Sequence, residues 1–159
     1  MNAPREHEVL TWERFGNAIR ELATAIAADR FSADLVLAVA RGGLPVAGAL
    51  AYALDVKQCF TMNIEFYTGI DEHGDVPTVL PPLLDKTDLA GARVLIADDV
   101  ADTGKTLELV QREIAEFAAD VRSAVLFLKP WSVVRPDYAW AETERWIDFP
   151  WATSPVTPD

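Results

Sequence analysis

Three aspartates fall within the segment Asp98-Asp99-Val100-Ala101-Asp102-Thr103-Gly104-Lys105-Thr106. The adjacent pair Asp98 and Asp99 offers acceptors to vicinal ribose hydroxyls and a handhold for a hydrated metal ion. Thr103, Gly104, Lys105 and Thr106 supply backbone amides, two hydroxyls and a glycine ahead of a helical pattern, and a helix N-terminus is a natural anion site. Gly104-Lys105-Thr106 invites comparison with the P-loop of nucleotide hydrolases. That motif needs a glycine five residues before Gly104, where this chain has Asp99. An acidic residue ahead of a helix is often only an N-cap. Burying this much negative charge behind an apolar strand is costly without a functional partner, so the segment is read as a cradle for a phosphorylated ribose.

Two other regions carry residues of interest. Arg41-Gly42-Gly43 sets a cation and two glycines at the end of an apolar run; taken alone, it is as readily an ordinary strand-to-helix turn. Lys129-Pro130 and the tail Trp146-Ile147-Asp148-Phe149-Pro150-Trp151 add a cation and aromatic rings. An aromatic-rich tail is more often core or subunit interface, the reading given to Trp131, Trp140 and Trp151. His7 and His73 are read as solvated, and Cys59 as a small residue in or beside a strand.

The elements that must position these residues follow from periodicity. Trp12, Phe15, Ile19, Leu22 and Ile26 step by three and four along a helix face, with Thr11 as N-cap. Leu35–Ala40 is a short apolar strand, and Pro45 suits the first turn of a following helix with its body at Val46–Leu54. Phe60, Met62, Ile64 and Phe66 alternate with polar residues, as in a strand. Thr68 to Gly91 shows no sustained periodicity and is expected to be a long loop, of the kind that often forms an active-site lid. Val94–Ala97 is a buried strand feeding the loop Asp98–Gly104 and a helix carrying Leu107, Val110, Ile114 and Phe117; Ala124–Leu128 is another strand. Strands alternating with helices indicate an α/β protein with an open, mostly parallel sheet flanked by helices. Ligands sit at the C-terminal strand ends of such sheets, where Arg41–Leu44 and Asp98–Thr106 both fall.

Bulk properties exclude more than they assign. The chain has 159 residues, half of them hydrophobic, which suits one domain of ordinary size spanning 1–159. Fourteen basic against 25 acidic residues leave a net charge of −11, a field that repels a nucleic-acid backbone. Salt screens that field within about 10 Å, so local amides and cations can still hold a small anion. The polar start of the chain lacks a signal-peptide core, and the longest apolar stretch, Leu44–Leu54, falls well short of the ~20 residues of a membrane span. A cytoplasmic protein without nucleic-acid or membrane partners is expected.

Val94 to Leu107 resembles the signature of type I phosphoribosyltransferases, which use 5-phosphoribosyl-1-pyrophosphate (PRPP). The resemblance extends from Leu35 to about Trp151. It implies the type I phosphoribosyltransferase fold, in which Asp98 and Asp99 contact the ribose hydroxyls and, indirectly or through PRPP, Mg²⁺, while Asp102, Thr103, Gly104, Lys105 and Thr106 wrap the 5′-phosphate. It further implies that Arg41, Gly42 and Gly43, with Tyr67 nearby, hold pyrophosphate, and that a non-proline cis peptide lies at Ala40–Arg41. Lys129-Pro130 and Trp146–Trp151 are similar to the branch using hypoxanthine, guanine and xanthine. There the implied roles are Lys129 at the purine O6, Trp146 stacked on the base, Ile147 reading the 2-position through its backbone, and Asp102 as catalytic base beside the catalytic cation Arg41. Residues 129–151 would form a small hood and 68–90 a flexible loop closing over the site. The tail 152–159, rich in proline and small residues, is read as flexible. A homo-oligomer, dimer or tetramer, is implied as well.

The sequence departs from the pattern at Ala152, where many relatives carry an acid supporting a second magnesium, and at Glu65-Phe66-Tyr67, where relatives often read Ser-Tyr. Two other readings remain open: a phosphoribosyltransferase for a different nucleobase, and a PRPP-sensing regulatory protein with little catalysis.

Overall fold

The apolar runs form the middle of one sheet. In the computed structural model, which describes residues 6–67, 76–80 and 84–158, the elements are β1 (His7–Val9), α1 (Trp12–Ala28), β2 (Leu35–Ala40), α2 (Gly43–Ala53), β3 (Gln58–Tyr67) and β4 (Val76–Leu80), followed by α3 (Lys86–Leu89), β5 (Arg93–Ala101), α4 (Lys105–Ala115), β6 (Asp120–Leu128), β7 (Tyr138–Glu142) and β8 (Trp146–Asp148). Six strands lie in the order β4-β3-β2-β5-β6-β7. All neighbours are parallel except β3 and β4.

The sheet is covered on both faces, as the continuous apolar strands require. Val36, Ala38, Leu95 and Ala97 point to one face, against Ala18, Ile19, Leu22 and Ile26 of α1 and Val46, Ala47 and Leu50 of α2. Leu35, Leu37, Val39, Val94 and Ile96 point to the other, against Leu107, Val110 and Ile114 of α4. Thr11 caps α1 by accepting the Arg14 N–H at 3.2 Å.

Three expectations change. Part of the expected loop 68–91 is ordered: Val76–Leu80 is an antiparallel edge strand on β3, and Lys86–Leu89 a single turn capped by Asp85. Pro77 hid the strand, since proline suits only edges. Residues 68–75, with His73, and 81–83 lie outside the described residues. Second, the strand at 94–97 extends to Ala101, so Asp98 and Asp99 stand on β5 and only Asp102–Gly104 turn the chain. Third, the polar N-terminus forms β1, which pairs in parallel with β8 as a two-stranded ribbon. His7 is therefore not simply solvated; its Nδ1 lies 2.7 Å from Asp148 Oδ2.

Candidate active site

The strand order reverses between β2 and β5, because the chain steps from β2 outward to β3 and β4 and returns to the other side of β2. Such a switch point opens a crevice beyond the strand ends. The ladders show where: β2 and β5 pair from Leu35↔Val94 to Ala38↔Ala97, after which β2 continues only with β3 and β5 only with β6. Arg41–Gly43 and Asp98–Asp99 occupy the two lips of that gap.

Gly42 and Gly43 are needed for close approach. A Cβ on Gly42 would lie 2.1 Å from Asp99 Oδ2, and one on Gly43 2.4 Å from the Ala97 carbonyl oxygen. The peptide before this turn, Ala40–Arg41, is cis, as the family resemblance implies. Arg41 itself is exposed.

The paired acids are half-buried and largely satisfied by their own backbone. Asp98 Oδ1 accepts from the Asp99 N–H at 2.8 Å, and Asp99 Oδ1 from the Val100 N–H at 2.7 Å. Burial, then repulsion from Asp99, pushes the Asp98 carboxyl well above the usual carboxylate range. Burial also raises that of Asp99, opposed by hydrogen bonds from Val100, Asp98 and the Trp151 indole. Two neighbouring carboxyls in a partly dry crevice resist carrying two charges at once.

Beyond them the chain turns at Asp102–Gly104. Gly104 has φ +81°, and a Cβ there would strike Ser132 Oγ at 2.4 Å and the Val134 nitrogen at 2.9 Å. The Val133 N–H donates to the Thr103 carbonyl at 2.9 Å, so the segment after β6 braces this turn. Helix α4 starts at Lys105, whose N–H reaches Thr103 Oγ1 at 3.3 Å. The first turn of a helix leaves amide groups without helical acceptors. Together they form a cavity of about 490 Å³ lined by Phe66 and Asp102–Thr106.

Lys129 follows β6 directly; its N–H donates to the Ala101 carbonyl at 3.0 Å, and its buried ammonium donates to the Arg145 carbonyl. Burial lowers the Lys129 pKa, opposed by the charges of Asp102, Glu144 and Glu8. In β8 the period of two turns Trp146 outward, 56 % exposed, and Ile147 inward, 8 % exposed. Asp102, Lys129 and Trp146 together line a cavity of about 510 Å³ with Trp131, Glu144 and Arg145, and a neighbouring one of about 330 Å³ with Ile147, Phe149 and Ala152. Asp102 borders all three cavities.

The structure thus brings Gly42, Gly43, Asp98 and Asp99 into one cluster, and Asp102–Thr106, Lys129, Trp146 and Ile147 into a second that joins it along β5. Arg41 stands outside the lining of these cavities. Tyr67 ends β3, with its backbone opposite Val76. Sequence reasoning missed the part played by one tryptophan. Trp131, read as core or interface, is 54 % exposed and its Nε1–H donates to Asp102 Oδ1 at 3.0 Å. Trp151 packs as expected, stacked on Phe149 with centroids 5.0 Å apart and against the core. Trp140 matches the expectation of a packed aromatic, lying edge-on to Phe127.

An open α/β sheet with an amide-lined turn and a carboxylate pair at its switch point defines a class of proteins that bind phosphorylated sugars or nucleotides. Within that class the assignment is direct, because the family model described as the phosphoribosyl transferase domain matches residues 6–158. The chain belongs to that family and is a phosphoribosyltransferase. The purine phosphoribosyltransferase of Pyrococcus horikoshii OT3 superposes with a TM-score of 0.80 at 38 % identity, covering 96 % of this chain and 99 % of that one. Xanthine-guanine phosphoribosyltransferases of Gluconobacter oxydans and Roseobacter denitrificans are 28 % identical, over 94 % and 89 % of this chain and 87 % and 83 % of their own. Among the described residues, no helix is long and apolar enough to cross a membrane.

Proposed function

We propose that the protein transfers the 5-phosphoribosyl group of PRPP to a 6-oxopurine (hypoxanthine, guanine or xanthine), releasing pyrophosphate, as a cytoplasmic enzyme of purine salvage. The observation that carries this reading is the position of Asp102, at the turn that opens α4 and on the wall of the cavity holding Lys129 and Trp146. It joins a phosphate cradle to a pocket with one buried cation and one exposed aromatic face.

In this reading Thr103–Thr106 take the 5′-phosphate on the amides and hydroxyls at the head of α4. Asp98 and Asp99 accept the ribose hydroxyls. Arg41, the close-packed Gly42–Gly43 turn and Tyr67 receive the pyrophosphate. Lys129 donates to O6, Trp146 stacks on the ring, and the Ile147 backbone meets the 2-position. The bond from ribose C1 to the pyrophosphate oxygen breaks with its electron pair leaving on that oxygen, a purine ring nitrogen bonds to C1, and the proton carried at N7 passes to the Asp102 carboxylate. Positive charge grows on the ribose and negative charge on the leaving group, so donors fixed around the latter act on the transition state more than on the substrate.

The donor set also fits Mg²⁺ of a particular kind. No group of three or more metal-ligating side chains occurs among the described residues, whereas two adjacent, half-buried carboxylates are present. Magnesium is commonly held by one or two carboxylates together with substrate phosphates and waters. Asp98 and Asp99 would hold it in that manner, and it would neutralise charge on the pyrophosphate.

Helix α2, Gly43–Ala53, has no charged residue and leaves Leu44 and Tyr52 exposed. This face supports a homo-oligomer, for which light scattering should give at least twice the 17.5 kDa chain mass.

The test is pyrophosphate release from PRPP and Mg²⁺ with hypoxanthine, guanine, xanthine, adenine, uracil and orotate offered separately. Turnover with at least one 6-oxopurine and none with the other three bases is expected. Turnover only with adenine or a pyrimidine overturns the roles given to Lys129 and Trp146. Tight PRPP binding without turnover overturns catalysis in favour of a sensor.

A further inference from the structure

We propose that Trp131 is a positioning residue for the proton-accepting carboxylate, acting through Asp102. The inference rests on the reaction proposed above and deepens it, since none of the roles assigned there uses this side chain.

The indole Nε1–H donates to Asp102 Oδ1 at 3.0 Å. One carboxylate oxygen is thereby occupied, which fixes the rotamer of an otherwise exposed side chain and leaves Oδ2 to meet the purine. The face of the same indole lies 5.6 Å from the Lys129 ammonium, within the range of a cation–π contact. One rigid ring therefore spans from the cation assigned to O6 to the carboxylate assigned to the purine nitrogen, and sets their separation along one edge of the base.

Trp131 is half-exposed yet well anchored. The Ser132 N–H donates to the Lys129 carbonyl at 3.1 Å, and Ser132 Oγ donates to the Val134 carbonyl at 2.8 Å. The Val133 N–H then clamps Thr103. This turn ties the tryptophan to the same backbone that carries the phosphate cradle. A half-exposed tryptophan, held by a turn with its one donor on Asp102, fits positioning better than packing.

The experiment is a double-mutant cycle on the full chain: wild type, Trp131→Phe, Asp102→Ala and the double variant, with kcat and both KM values measured. Phenylalanine keeps a ring over Lys129 and removes only the donor. The expected result is a kcat about 10–100-fold lower in Trp131→Phe, the scale of one hydrogen bond to a charged group, with the PRPP KM nearly unchanged. In the Asp102→Ala background the same substitution should add almost nothing. Unchanged kcat in Trp131→Phe, or losses that simply multiply, overturns the proposal. A second measurement needs no turnover: the Trp131 indole N–H signal in ¹⁵N NMR, assigned by its loss in Trp131→Phe. It should shift and exchange faster with solvent in Asp102→Ala; a signal indifferent to that change means that the bond is absent. A wild type inactive on every purine removes the reaction and this role with it, while the NMR result still decides the bond.

Discussion

The two ends of the site are built in opposite ways. At the lip between β2 and β5, glycine backbone leaves no room for a side chain: Gly42 meets the Asp99 carboxylate, Gly43 meets the Ala97 carbonyl, and each paired carboxyl accepts from the amide of the residue after it. On the far side of Asp102 the pocket is assembled from side chains on short turns, with Lys129, Trp131 and Trp146 brought together by the segment after β6 and by the β1–β8 ribbon. The first construction has no room for variation and suits a part of the substrate that never changes, the phosphorylated sugar and its pyrophosphate. The second can change one side chain at a time, as choosing a base demands.

That contrast can be broken or sharpened by substitution. The largest effect is expected at the junction. Asp102→Asn should lower kcat ~10²–10⁴-fold, the range for losing general acid–base help, and wild-type turnover in that variant would remove Asp102 from proton transfer. In the side-chain half, Trp146→Ala should raise the KM for the base about 10–100-fold, since stacking on an aromatic is worth ~1–3 kcal/mol. The KM for PRPP should hardly move, and equal losses for both substrates would erase the division of labour. Lys129→Ala should likewise depress 6-oxopurine use and spare PRPP affinity measured by calorimetry.

In the backbone half the effect should fall on folding as well. Gly43→Ala sets a methyl 2.4 Å from the fixed Ala97 carbonyl oxygen, and should cost ~1–3 kcal/mol of stability by overpacking. The denaturant midpoint checks this; an unchanged midpoint would mean that the lip yields. The smallest effect is at Asp98. Its carboxyl is raised by burial and by Asp99, so its share of stability is fully present below the unfolded pKa and lost as pH rises through the higher folded value. Asp98→Asn should therefore be more stable than wild type at neutral pH, by roughly 2–4 °C in Tm for each 1 kcal/mol in a chain of this size. The gap should close as pH falls toward about 4. A variant less stable at neutral pH would contradict the assigned burial cost.

The same contrast explains what could be read from the sequence. Leu35–Ala40, the helix capped by Thr11 and the buried faces of α1, α2 and α4 follow from periodicity, because burial acts on every third, fourth or second residue. The acid pair and the glycine turns were legible because their chemistry is local. The ribbon of β1 and β8 was not: three-residue strands show no period, and their pairing joins opposite ends of the chain. Neither was the Trp131–Asp102 bond, since a tryptophan two residues beyond Lys129 gives no signal of which distant carboxylate its N–H will meet. Asp98–Ala101 looked like a loop because carboxylates are rare in parallel strands. Here β5 has lost β2 as a partner by that point, and the crevice admits them.

The most direct test of the whole account is pyrophosphate release from PRPP measured base by base, with wild-type protein and Mg²⁺. Release with hypoxanthine, guanine or xanthine, and none with adenine, uracil or orotate, is the predicted result. Release supported only by adenine or a pyrimidine would contradict it, because the pocket of Lys129 and Trp146 would then be reading a different base edge.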